Sequence, residues 1–401
     1  MFSVIGFRHS MDDKTFKSSD EYCAMALSRQ QGSSLVEVMV SLLLGAIMLL
    51  GAVQILVNSK RDFLIRDAMS SVEEAGNYTF DLIGGDLRVA GYKGCVSKRD
   101  TTFDNLISSS GAVFQPERGI QGWEANGTAY SDTLIPASWG SLSAQSSANW
   151  LTTTGAQSNS MPSTSSTAAR GSDIIRIWGI EPYVFNITNA TATTLTVDGA
   201  SVIGFPEAGT GSSADTNDRI LIVSDCEKTL IVKATDFDRS TGVITLSGNS
   251  GGTSQLTSMR NMEAVIIRGV QYYIGKRGDD ANNHPSLYRK RIKADGTLDD
   301  AEELVEGIAN MQIVYGEKTG TTSQIAASRY VTADNVTDWS RVVSVRMWLL
   351  VETTNDFIVS ATGQNYSYIG KTYTPTDRRF RREMSMTINL RNRTLGAMPW
   401  M

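Results

Sequence analysis

From Leu35 to Val57 the chain runs 23 residues with one formal charge, Glu37. A helix needs about 20 predominantly apolar residues to cross a bilayer, so this run is long enough. Behind it, Ile65, Met69, Val72, Gly76, Ile83, Leu87 and Ala90 recur near a 3.6-residue period. Arg66, Asp67, Glu73, Glu74, Asp81 and Arg88 fall mostly on other faces. The pattern predicts one helix from Ser34 to Ala90, about 85 Å long at 1.5 Å per residue. Its front half is apolar all round and its rear half has one apolar face. Gly84-Gly85 weakens it by about 1 kcal/mol per glycine relative to alanine. Gly91, in Gly91-Tyr92-Lys93-Gly94-Cys95, supplies the stop.

Residues 106–172 are rich in Ser, Thr, Gly, Ala and Asn, and Gln157–Thr167 is almost wholly small and polar. That composition predicts surface loops, although Trp123, Trp139 and Trp150 argue against a wholly unstructured segment. From Asp173 the pattern changes to short β-branched runs between polar turns, at 174–178, 194–197, 219–223, 230–232, 242–246, 264–267 and 271–274. Further runs follow at 310–315 and 342–351, with a terminal one at 383–393. No long helical periods separate them, which favours antiparallel sheet over βαβ units. The expected fold is therefore α+β: a long N-terminal helix packed on a mainly antiparallel β-sheet domain with long loops.

The 401 residues, 41% hydrophobic and 20% charged, suit one large domain or two smaller ones behind such a helix. The formal charge of −5 does not by itself make a nucleic-acid binder, so any such contact would need a local basic patch. Arg378, Arg379, Arg381 and Arg382, grouped around Phe380, form the one sharp cluster. It reads either as an electrostatic contact with DNA or an acidic partner, or as a solvated turn before the last strand. Catalytic chemistry finds little support. The two histidines are His9 and His284, there is no Gly-x-Ser-x-Gly elbow, and no phosphate-cradling loop is present. No cofactor and no metal are expected: there is no CxxC or Cys/His cluster, and the acidic turns at Asp279-Asp280 and Asp295–Asp300 do not match an EF-hand.

Glu37 is the residue that most needs a reason. A charge in hydrocarbon costs roughly 2.5–3.5 kcal/mol at mid-helix and less near an end, and an ionisable residue there is a functional candidate. The apolar run is also too long for a cleaved secretory signal, and Lys60, Arg61 and Arg66 follow it. Gly32, followed five residues later by Glu37 and then by an uninterrupted apolar helix, resembles the signal of type IV prepilins. That resemblance implies peptidase cleavage between Gly32 and Ser33, N-methylation of Ser33, and retention of the helix. It also implies an assembly role for Glu37, whose carboxylate would pair with the amino terminus of an adjacent subunit. The family's first mature residue is usually Phe or Met, whereas here it is Ser33. Met25–Gly32 alone resembles the usual short basic leader, so residues 1–24 read as a gene-model extension. Glu74–Asp81, Asp86–Cys95, Leu304–Tyr315 and Thr387–Arg393 further resemble PilW-type minor pilins.

These readings give a leader over 1–32, a transmembrane and assembly helix over 33–57, its amphipathic continuation over 58–92, and a periplasmic β-rich domain over 93–401. The resemblance implies a non-enzymatic minor pilin of the bacterial inner membrane that passes into a surface fibre. The implied partners are other minor pilins, the major pilin, the prepilin peptidase/methylase, the inner-membrane assembly platform and a tip adhesin. Twitching motility, adhesion and DNA uptake would lie downstream of the fibre. A type II secretion pseudopilin and a membrane-anchored periplasmic enzyme are the alternatives. With Cys23 in the leader, Cys95 and Cys226 would face an oxidising compartment as an even pair, which makes a disulfide the economical expectation.

Overall fold

The computed structural model describes residues 34–94, 103–107, 115–125, 128, 150–151, 168–169, 171–204, 219–225, 227–246, 249, 253–276, 284–294, 296–319, 326–356, 358–359 and 364–394. The chain divides between Lys60 and Arg61 into two compact units. The expected helix is present as α1 (Leu35–Val89), 55 residues without a break. The glycine pair does not interrupt it. A Cβ on Gly84 would come 3.4 Å from the Ile388 side chain, so this position lets a strand approach the helix. The stop falls at Gly91, whose φ of +67° is open to glycine and costly for other residues.

Among the described residues the β elements form two larger sheets and a separate two-stranded hairpin. The first holds eleven strands: β1 (Phe103–Asn105), β2 (Ile120–Ala125), β3 (Trp150–Leu151), β4 (Ile174–Ala190), β5 (Thr194–Val197), β6 (Arg219–Ser224), β7 (Thr229–Asp238), β8 (Val243–Leu246), β9 (Glu263–Lys276), β10 (Pro285–Ile292) and β11 (Glu302–Glu306). The second comprises β12 (Ile308–Glu317), β13 (Arg329–Val331), β14 (Val342–Glu352) and, beyond the small hairpin β15 (Tyr366–Tyr368) and β16 (Lys371–Tyr373), β17 (Arg381–Asn389). A final turn of helix, α2, covers Arg391–Thr394. Named strands pair antiparallel throughout the described residues, except that β1 lies parallel to β7.

Six strands of the first sheet close on themselves in the order β9-β6-β7-β8-β5-β4, because β4 also pairs with β9. The ring encloses Phe185, Leu195, Leu221, Val223, Leu230, Val232, Ile244 and Ile266. On its outer side Ile220, Ile222, Ile231 and Ile267 pack with Trp178. Both faces of β6 are therefore buried, which accounts for its unbroken apolar reading. The long strands β4 and β9 continue past the ring. The first part of β4 pairs with β2, the last part of β9 pairs with β10, and a register shift at Ile180/Val184 marks the bend in β4. Pro182 sits at that bulge, where a missing N–H is tolerated.

Three expectations change here. The runs at 264–267 and 271–274 are one strand, β9, because Gly269 does not break it: a Cβ there would overlap the Trp178 ring. Within the loop-like stretch, Ile120–Ala125 is a strand buried along its whole length against β4. The terminal run is a strand only to Asn389 and ends in α2.

The rear of α1 packs Val72, Phe80, Ile83 and Leu87 into one core shared by both sheets, with Ile175, Ile177 and Tyr272 from the first and Met311, Met347, Leu349 and Ile388 from the second. Gly171-Ser172-Asp173 straps the sheets together. The Asp173 N–H donates to the Met311 carbonyl at 2.9 Å. Its carboxyl accepts from the Ala125 N–H at 2.9 Å and from the Ile313 N–H at 2.7 Å. Asn310 and Gln312 side chains donate to the Gly171 carbonyl at 2.7 and 2.9 Å. Burial pushes the Asp173 carboxyl up to about 7, against the pull of the two backbone donors, and the Asp334 charge adds to the rise.

A carboxyl raised above its unfolded value of about 3.9 binds more protons when folded. Its contribution to stability is thus present at low pH and is lost as pH rises through about 7. Asp173→Asn should flatten that fall between about pH 4 and 8, while costing about 1–3 kcal/mol because a side-chain amide cannot accept from both backbone donors. Urea unfolding of wild type and variant across this pH range reads both effects. An identical pH slope in the two proteins would refute the assignment.

Candidate assembly interface

Glu37 lies in the first turn of α1, and Ser41 Oγ donates back to the Val38 carbonyl at 3.0 Å. Glu37 is itself exposed. So are Leu35, Val36, Val38, Met39, Val40, Leu42, Leu43, Leu44 and every other large apolar side chain as far as Val57. Gly45 and Gly51 have open space where a side chain would stand. By length and composition this segment can cross a membrane. An exposed apolar surface of this extent needs lipid or other apolar helices to cover it. The one carboxylate within it needs a positive partner wherever that cover is dry.

The rear of α1 is fixed to the β domain by charge as well as by apolar contact. Asp86, buried in the helix, pairs with the Arg268 guanidinium and accepts from Tyr272 Oη at 2.7 Å. Burial, with the Asp86 charge second, pushes the Tyr272 hydroxyl well above its usual range, so it remains a donor. Gly76 leaves room for the Met384 side chain of β17, and Glu73 pairs with Arg382. The end of the helix is completed from α2: Asn392 Nδ2 donates to the Ala90 carbonyl at 3.2 Å. The Arg393 guanidinium donates to the Trp339 and Val342 carbonyls, and burial pushes it down to about 10.

Gly32, Ser33, Cys95 and Cys226 lie outside the described residues. The arginine cluster is fully described, and its charges are used within the fold. Arg378 Nε donates to the Val359 carbonyl at 2.9 Å. Arg379 and Arg381 hold the two oxygens of Glu352 at 2.6 and 2.7 Å, Arg381 also holds Asp377, and Arg382 reaches Glu73. Each of the four arginines thus has an acceptor within the fold, in the stretch that leads into β17. His284 stands 3.8 Å from a Glu306 oxygen. Among the described residues no three His, Cys, Asp or Glu side chains group as a metal site. The helix-end contacts of Asn392 and Arg393 had no signal in the sequence beyond their position.

A membrane-length helix with one acidic residue in its first turn runs on into an amphipathic half docked on antiparallel sheets, an α+β arrangement. Residues 27–53 match the prokaryotic N-terminal methylation motif, and residues 271–392 match the type IV pilus-assembly protein W family. Together these are the matches of a PilW-type pilin with a prepilin signal, and they support a pilin role in pilus assembly. A type IV-like pilin from Thermus thermophilus shares 14% identity at a TM-score of 0.20, over 44% of this chain and 86% of its own. No curated protein matches the chain.

Asp86→Asn should cost about 1.5–3 kcal/mol, the range for hydrogen bonds to a charged group, since Arg268 and Tyr272 both lose a carboxylate acceptor. Denaturant unfolding of the full chain in detergent micelles measures this, and an unchanged midpoint would show that the network does not hold the helix.

Proposed function

We propose that this chain is a minor pilin that helps prime type IV pilus assembly and enters the fibre at or near its tip. The observation that carries the reading is the lone carboxylate Glu37 in the first turn of an exposed apolar helix, inside a matched methylation motif. On this reading the peptidase cuts between Gly32 and Ser33, and Ser33 becomes the methylated amino terminus. The helix waits in the inner membrane with the β domain in the periplasm, and neighbouring helices then replace lipid in the fibre. Glu37 meets the terminal ammonium of an adjacent subunit, which offsets the cost of burying either charge alone. The partners are other minor pilins, the major pilin, the assembly platform and a tip adhesin. Twitching, adhesion or DNA uptake follow from the fibre, and the chain's own work is structural.

Glu37→Ala should be cut to a Ser33 amino terminus and inserted like the wild type, since removing a charge eases insertion. It should nevertheless fail to restore surface pili in a deletion strain, and Glu37→Gln should fail similarly. Intact mass reports the processing and electron microscopy the fibres. Full piliation by processed Glu37→Ala, or a mature mass that retains residues 25–32, would overturn the reading.

A Cys95–Cys226 disulfide belongs to the same proposal. The neighbouring described residues support it: a Cβ on Gly94 would collide with Ser224, and Thr229 Oγ1 donates to the Lys93 carbonyl at 2.8 Å. The bond would close a loop of about 130 residues and add on the order of 4–5 kcal/mol by chain entropy. Both thiols should resist alkylation in protein isolated without reductant, and their free alkylation would exclude the bond.

A further inference from the structure

The sheet β13-β12-β14-β17 has one face turned to α1, and the opposite face carries polar and aromatic groups. Arg346 on β14 lies at its centre, exposed, with its guanidinium carbon 4.7 Å from the Tyr330 ring centroid and 5.9 Å from that of Trp348. Its Nε donates to Thr387 Oγ1 at 3.1 Å on the neighbouring strand. Among the described residues it has no carboxylate partner. Ser344 donates to Tyr330 Oη at 3.0 Å and so fixes that ring. Ser385, Thr387 and Asn389 run alongside as an exposed uncharged row, in register with Trp348, Arg346 and Ser344. The hairpin β15–β16, with Tyr366 stacked on Tyr373 at 5.6 Å, packs against Trp348 and Leu350 and bounds the face at one end.

We propose that this face binds an acidic carbohydrate, with a sugar carboxylate on the Arg346 guanidinium and the sugar ring against the aromatic side chains. A guanidinium held over the Tyr330 ring, with one donor engaged, keeps a planar fork of N–H groups that matches a carboxylate. The Ser, Thr and Asn row offers donors and acceptors to sugar hydroxyls, while the rings offer apolar faces at low conformational cost. A single-stranded nucleic acid fits less well, since each phosphate asks for a cation and this face carries a single guanidinium without a carboxylate, in a chain of net charge −5. An acidic peptide would seek a strand edge or an apolar groove, whereas these groups stand on the face of the sheet. The proposal does not rest on the assembly reading.

The test is calorimetric titration of the full chain, in a sugar-free detergent at low ionic strength, with oligogalacturonate, neutral maltodextrin, poly-glutamate and oligo-dT. Saturable binding of oligogalacturonate alone is expected. Arg346→Gln should weaken it by roughly tenfold or more, and Arg346→Lys, which has no fork, should not restore it. Unfolding midpoints equal to wild type show that the variants are folded, and Trp348→Phe should retain part of the affinity. No binding of oligogalacturonate, binding unaffected by Arg346→Gln, or equal or better binding of any of the other three would overturn the proposal.

Discussion

The burial of one stripe of a helix beneath two sheets is the constraint on which the domain depends. Val72, Phe80, Ile83 and Leu87 have no cover within their own segment, and it comes from strands at 174–177, 270–272, 311–313, 345–351 and 388. None of those strands can drift without opening the same core. The strap at Gly171-Ser172-Asp173 exists because two sheets must meet over one helix, and a buried carboxyl with two backbone donors fixes their spacing. The ring of six strands is a second, separate core that hangs on the same long strands β4 and β9.

The long helix could be read from the sequence, and so could the odd charge at its front. Periodicity is a local signal, and the one formal charge in a 23-residue, mainly apolar run stands out without any partner in view. Most strands could be read as well, since β-branched runs bounded by turns are local too. Closure of the ring could not, because Val and Ile on β4 and β9 carry no mark of which other strand they will meet. β10 was hidden by Arg289-Lys290-Arg291, and the edge strand β11 by Glu302 and Glu303, with Arg289 and Glu302 paired across the two strands. The arginine cluster drew attention for its charge. Two of its acceptors, Glu73 and Glu352, stand apart from it along the chain, so the local sequence shows only Asp377 as a partner.

The two halves of α1 show how one secondary structure can meet two different solvents. Before Lys60 its side chains are predominantly apolar on every side, and after Arg61 the pattern narrows to one stripe and acquires Asp86 as a buried anchor. Such a helix has no apolar cover of its own in the front half. Whatever surrounds it must supply the cover, which is why the family match over 27–53 and the carboxylate at Glu37 bear on the same question.

The contact of Asn392 with Ala90, across 302 residues of sequence, also has a bearing on the order of events during synthesis. The helix is made first, yet its C-terminal carbonyls and the floor under Gly84 and Gly91 come from residues made near the end, among them Ile388, Asn392 and Arg393. Contacts so distant in sequence form slowly and late. Until they form, the rear of the helix is an amphipathic segment with its stripe uncovered. A chain stopped short of this segment would leave that stripe in the same state, so the docked helix itself reports that translation ran through to the last strand.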